Sequence, residues 1–257
     1  MCVLALAWRA HPRWCFIVAG NRDELHTRPA APLARWAETQ HLLAGRDLLS
    51  GGTWMGVSEQ GRFAVVTNLR GFEAPRPEAP SRGWLLRDDL SRDGAYADPD
   101  DAALDAFSPF NLIRIQGDKA EFRTNRPKPS RRTLEPGVYG LSNGGLDEPW
   151  PKTERLKAIL KGWLEGDADH PETLLDGLQE DRLTGPNDQP LPPSDAPFEP
   201  AVSPIFIRNP LYGTRCGTVV AVDEEGQGVI VERRFDAEGR ITGETTLPFT
   251  WPERRLR

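Results

Sequence analysis

Position 2 is a cysteine directly behind the initiator methionine. Removal of Met1 is expected before a side chain this small. It would leave Cys2 carrying a thiol and a free α-amine on one residue. An α-amine has a reference pKa of roughly 7.7–8.0 and takes up a proton near neutrality, whereas a thiol attacks as its thiolate. One residue would then hold nucleophile and base together, as an N-terminal threonine does. The bland alternative is a cysteine at position 2 with no role. A second cluster, Asn21-Arg22-Asp23-Glu24, ends the next apolar segment. If the first two segments pair as a hairpin, this cluster returns toward Cys2. Asp23 would then hold the α-ammonium, and Arg22 would lower the thiol pKa or bind an anionic substrate group. Asn21, Arg22 and Glu24 are accordingly the substrate-binding candidates. Read otherwise, the four residues form a solvated strand-end turn.

Asn68 and Asn143 each close an apolar run, Val65-Val66-Thr67-Asn68 and Tyr139-Gly140-Leu141-Ser142-Asn143. A side-chain amide so placed can donate to a developing oxyanion, or simply cap a turn. Arg215, in Tyr212-Gly213-Thr214-Arg215, can clamp a carboxylate or phosphate, or remain a surface arginine. Gly51-Gly52-Thr53-Trp54-Met55-Gly56 lacks both the P-loop and the dinucleotide-site spacings and reads as a tight turn entering a strand. The histidines His11, His26, His41 and His170 show no paired ligand spacing, so neither a metal site nor a cofactor is expected. Cys2, Cys15 and Cys216 form no CxxC pair and read as neither a disulfide framework nor a zinc site. Cys15, between Trp14 and Phe16, is expected to be a small buried hydrophobe.

These residues need elements to position them. Val3–Trp8 and Trp14–Gly20 alternate as strands of a hairpin. Thr53–Ser58 with Arg62–Asn68, and Phe110–Gln116 with Lys119–Arg123, are two further hairpins. Thr218–Val222, Gly228–Phe235 and Ile241–Leu247 form a closing meander. Helices are expected over Ser81–Leu90, over Pro99–Ala106 with Asp98 as N-cap, over Thr153–Leu164 and, more weakly, over Pro171–Glu180. In the third, Leu156, Ile159, Leu160 and Trp163 share a face. Ala74–Pro80 and Pro186–Pro204 read as long surface loops. Hairpins without strict strand–helix alternation point to antiparallel sheets with helices layered on them, an α+β class. No domain boundary interrupts residues 1–257.

The 257 residues carry a formal charge of −6, with lysines and arginines scattered along the chain. Phosphate-backbone binding needs a clustered basic footprint, so a nucleic-acid partner is not expected. Mean hydropathy is −0.52, and no apolar run approaches the ~20 residues of a membrane helix. Val3–Trp8 is followed at once by Arg9, His11 and Arg13, too short for a signal-peptide core. A cytoplasmic protein with a small-molecule substrate or ligand is therefore expected. The sequence does not set an oligomeric state.

Taken in order, the segments resemble one family, the NRDE-motif family, also called the transport and Golgi organisation protein 2 family. The pieces are Met1-Cys2, Asn21-Arg22-Asp23-Glu24 with Arg28-Pro29, Gly45-Arg46-Asp47, Gly51-Gly52-Thr53-Trp54, Thr67-Asn68, Phe110-Asn111-Leu112, Tyr139 to Asn143, Pro149-Trp150 and Tyr212 to Arg215. They span essentially the whole chain. The resemblance implies the four-layer αββα sandwich of the N-terminal nucleophile hydrolases. By analogy with the choloylglycine-hydrolase and penicillin V acylase group, it implies Cys2 as nucleophile, Asp23 orienting its amine, Asn68 and Asn143 stabilising an oxyanion, and Arg215 tuning the thiol. The implied activity is hydrolysis of a linear amide or thioester. The implied alternative is a non-catalytic carrier of haem or acyl-CoA, since family members are linked to haem movement and acyl-CoA binding. One position departs: those acylases carry an arginine three residues before the aspartate, where this chain has Gly20.

Overall fold

The computed structural model describes residues 2–74, 76–182 and 203–252. In chain order the strands are β1 (Cys2–Trp8), β2 (Trp14–Leu25), β3 (Ala30–Arg35), β4 (Leu42–Asp47), β5 (Met55–Ser58) and β6 (Arg62–Asn68). Helices α1 (Arg82–Ser91) and α2 (Asp101–Asp105) come next, then β7 (Phe110–Gln116), β8 (Lys119–Thr124), β9 (Ser130–Thr133) and β10 (Gly137–Leu141). Helix α3 (Pro151–Glu165) and the short α4 (Leu174–Gly177) precede β11 (Tyr212–Asp223), β12 (Gln227–Phe235) and β13 (Ile241–Thr250).

The strands form two antiparallel sheets of different construction. The seven-stranded sheet is a plain meander, β3 to β9 in chain order. The six-stranded sheet runs β10-β1-β2-β11-β12-β13, stitching the N-terminal hairpin to the C-terminal meander. Strand alternation decides what each face buries. Leu4, Leu6, Trp8, Phe16 and Val18 meet Phe63, Val65, Ile113 and Ile115 between the sheets. The opposite face of the six-stranded sheet offers Val3, Ala5, Ile17 and Val219 to Leu156, Leu160 and Leu164 of α3 and to Leu174 and Leu175. The outer face of the seven-stranded sheet packs Ala64, Val66 and Leu112 on Leu85, Leu86 and Leu90 of α1. The result is the four-layer αββα sandwich.

The differences from the expected elements are local. Ser81 caps α1 as its side chain accepts from Gly83 N–H. The cap of α2 is Asp100, which accepts from Ala103 N–H, so the helix starts later than Asp98 would set it. Pro171–Glu180 divides into a 3₁₀ turn and the one-turn α4. Strands β3, β4 and β9 are additions: each lies wholly or partly at the surface or is too short to alternate strongly. Most of the expected Pro186–Pro204 loop falls outside the described residues.

Candidate active site

Strand β2 overruns β1. Their register ends at Cys2 opposite Arg22, so Asp23 stands just beyond the described end of β1. The thiol of Cys2 belongs to the core between the sheets, and the Asp23 backbone N–H reaches its sulfur. Burial pushes the thiol pKa up; the Asp23 carboxylate adds to this and the Arg22 guanidinium opposes it.

Asp23 is built in from the neighbouring strand β11. Its carboxylate accepts from Thr214 Oγ1 at 2.7 Å, and its carbonyl accepts from the Tyr212 hydroxyl at 2.8 Å. Burial raises its pKa, against the pull of Lys152, the Thr214 hydrogen bond and Arg22. Lys152 is a site residue that sequence reasoning missed. It is buried in the first turn of α3, and its Nζ donates to Ser203 Oγ at 2.8 Å. Burial lowers its pKa to about 8, while Asp23 and Cys2 pull it back up. One signal was available: a cation in the first turn of a helix opposes the macrodipole and so needs another reason to be there. Arg82, at the start of α1, is a second missed cation. Burial lowers its pKa, and the charges of Cys2 and Glu24 counter this.

The remaining candidates distribute as follows. Arg22 and Arg28 both bind Asp47, at 3.0 and 2.5 Å. Burial would raise the Asp47 pKa, yet the Arg28 hydrogen bond and the Ser50 N–H hold it below the usual carboxylate range. Glu24 lies 3.7 Å from Arg22 and 3.8 Å from Arg28. Asn21 faces the helix layer, where its amide donates to the carbonyls of Leu178 and Ile205. Asn143 reaches the site through Ser142, whose hydroxyl donates to the Cys2 carbonyl at 2.7 Å. The Asn143 amide donates to the Asn68 carbonyl at 2.8 Å, which sets the two asparagines side by side. Asn68 itself is exposed, and Asn111 holds the following turn through the Gly144 carbonyl.

Arg215 sits elsewhere. The β2–β11 register jumps from Thr214 to Cys216, leaving Arg215 in a bulge. Its guanidinium donates to the carbonyls of Leu25, His26 and Arg28. It lines a recess of about 210 Å³ with Arg22, Asp47, Trp54, Cys216 and Arg234. That recess reaches Arg22, the cross-strand neighbour of Cys2. The His26 ring lies 2.9 Å from the Asn209 carbonyl. Gly20 also has a physical explanation. A Cβ there would lie 2.7 Å from Leu4 Cβ and 2.9 Å from the Val3 carbonyl, so β1 excludes any side chain at this position. Cationic groups come to the thiol from Arg22 and Arg82 instead. Among the described residues, no three His, Cys, Asp or Glu side chains gather as a metal site, and no helix is long and apolar enough to cross a membrane.

The sandwich has a counterpart among solved structures. A Caenorhabditis elegans ortholog of N-acylethanolamine-hydrolyzing acid amidase superposes with a TM-score of 0.50 at 14% identity, over 84% of this chain and 91% of that one. The fold class is therefore that of the N-terminal nucleophile hydrolases. Residues 1–237 match the family described as Transport and Golgi organisation 2, and the chain belongs to that family. The mouse Transport and Golgi organization 2 homolog is 30% identical over 97% of this chain and 99% of its own length. The human homolog is 30% identical over 91% and 92%, and the Drosophila melanogaster protein 26% over 90% and 91%.

Proposed function

We propose that the chain is a cysteine N-terminal nucleophile hydrolase acting on a linear amide or thioester, with Cys2 as nucleophile once Met1 is removed. The observation that carries this reading is the seat of Asp23. Its buried carboxylate is fixed by Thr214, its backbone N–H touches the Cys2 sulfur, and it stands just past the end of β1, where a freed α-amine would emerge. In this mechanism Asp23 orients the amine, which takes the thiol proton. The thiolate adds to the substrate carbonyl carbon. The negative charge moves to the carbonyl oxygen, where the second N–H of Asn143 and the Asn68 side chain are the candidate donors. Collapse expels the amine or thiol, which leaves with the proton from the ammonium. Water then cleaves the acyl-cysteine and restores Cys2. Neutral Lys152 or its cation tunes this exchange through the charge of Asp23.

Intact mass of the purified protein and turnover of a panel of N-acyl amides and acyl thioesters test the reading. Loss of Met1, with turnover abolished by Cys2→Ala, is expected. A retained Met1 leaves the α-amine blocked and refutes it.

One observation favours a second reading, a carrier on the same fold. The thiol is pushed up by burial, and the adjacent recess is lined by Arg22, Arg46, Arg215 and Arg234. Acyl-CoA phosphates suit such a lining. For haem, Cys2 and His26 are the available ligands, and the His26 ring is already engaged. Ligand binding indifferent to Cys2→Ala, with no product formed, selects the carrier.

A further inference from the structure

A larger cleft lies on the outer face of the seven-stranded sheet, beyond the end of α1 and away from Cys2. It measures about 660 Å³ and is lined by Arg62, Arg92, Arg114, Lys119 and Arg123, with Asp98, Asp118 and Glu121 among the carboxylates. Arg62, Arg114 and Arg123 come from three successive strands, β6, β7 and β8, on one face of the sheet. Their side chains are only 7%, 11% and 5% exposed. Arg62 and Arg114 share a single carboxylate, Asp89 of α1, at 3.1 and 2.8 Å. Arg62 also donates to the Asp89 carbonyl, tying the end of α1 to the sheet. Arg123 pairs with the more exposed Glu121.

Three nearly buried guanidiniums thus meet two carboxylates, the buried Asp89 and the more exposed Glu121. Burial lowers the pKa of Arg62; Asp89 and Asp98 oppose this, and the charges of Arg92 and Arg114 add to it. Arg123 is likewise lowered by burial and by Arg114, although Glu121 supports it. Crowded like charges in a low-dielectric setting are unfavourable unless countercharge is supplied. The lining sets five cations, Arg62, Arg92, Arg114, Lys119 and Arg123, against three carboxylates, and a concave wall of net positive charge focuses potential toward anions. Arg92 ends α1 in the left-handed conformation, φ 59°, where glycine is the low-cost residue. Arg92 is exposed and lines the cleft.

We propose that this cleft is a binding site for a phosphorylated small molecule, whose phosphate groups take the countercharge place among Arg92, Arg114 and Arg123. Planar guanidinium forks suit phosphate oxygens, and the volume falls within the ~300–1,000 Å³ of small-molecule sites, so an organic portion fits beside the phosphates.

Calorimetric titration with inorganic pyrophosphate tests this at about 50 and 200 mM salt. Saturable one-to-one binding that weakens with salt is expected. Arg92→Gln and Arg123→Gln should each weaken it at least tenfold. Arg46→Gln, in the recess near Cys2, should leave it unchanged. Arg92 is exposed, so its variant keeps the fold, and a thermal melt checks this for both variants. Absence of saturable heat, or binding insensitive to Arg92→Gln and Arg123→Gln, overturns the proposal. Loss in Arg46→Gln alone places the anion in the other recess and also overturns it.

Discussion

Two buried charged clusters occupy opposite sheets, and they are built differently. At the Cys2 end, cations and carboxylates match in number: Lys152 with Asp23, and Arg22 and Arg28 with Asp47 and Glu24. On the outer face of the seven-stranded sheet, Arg62 and Arg114 converge on one carboxylate, with a third arginine close by. The first cluster draws on residues from both ends of the chain and from α3. The second comes from three adjacent meander strands, β6, β7 and β8, and from α1, which lies between the first two in the chain. A balanced buried cluster can shift protons within itself, which suits acid–base work. An unbalanced one is completed by an external ion. The same physics of desolvation therefore favours chemistry in one place and binding in the other.

The sharpest way to break this contrast is at Cys2. Under the proposed function Cys2→Ala lowers turnover by ~10³-fold or more, which is roughly 4 kcal/mol of barrier. Equal turnover in the variant would remove the Cys2 cluster from chemistry. Asp23→Asn removes the charge that orients the α-amine. It is expected to lower turnover by on the order of 10²-fold and to change the pH profile of Cys2 alkylation. An unchanged profile would reduce Asp23 to a structural residue.

Gly20→Ala forces a methyl against Leu4 and the Val3 carbonyl. Overpacking of this kind destabilises by about 1–3 kcal/mol, readable as a lower urea midpoint. An unshifted midpoint would refute the steric account of why no arginine stands there.

Lys152 gives a pH signature. Its folded pKa, about 8, lies below the unfolded value of roughly 10.4. Between these values the unfolded chain binds more protons, so this group makes stability rise with pH across that window, by roughly 1 kcal/mol per pH unit. Below pH 8 both states are protonated and its penalty is fully present. Lys152→Met should remove that slope from urea titrations run across the window, and an identical slope in both proteins would refute the depressed pKa. The smallest effect belongs to Arg92→Gly. Relief of the left-handed backbone should raise stability by about 0.5 kcal/mol while weakening pyrophosphate binding. A loss of stability instead would show that the side chain holds α1 in place.

Much of the layering was legible in the sequence. Apolar alternation broken by glycine turns, as at Gly61 and Gly117, marks the hairpins, and both glycines take positive φ. The apolar stripe of α3 is equally local. The approach of Asp23 to Cys2 follows from hairpin pairing alone, because β2 simply overruns β1.

Other site members could not be read this way. Lys152 and Arg82 reach Cys2 from helices packed in different layers, and no periodicity reports which helix end meets which strand. Arg215 illustrates the limit most clearly. In a regular strand its direction would follow from its neighbours, but the bulge after Thr214 breaks the alternation and sends its guanidinium to the carbonyls of Leu25, His26 and Arg28. The sequence by itself determined the elements, the nucleophile candidate and its carboxylate partner, because turn chemistry and side-chain period act over a few residues. Only the tertiary structure decided the approach of Lys152 and Arg82 to the thiol and the arginine cleft. The pairing of β1 with β10 and of β2 with β11 joins residues more than a hundred positions apart, and packing of the assembled layers sets that register.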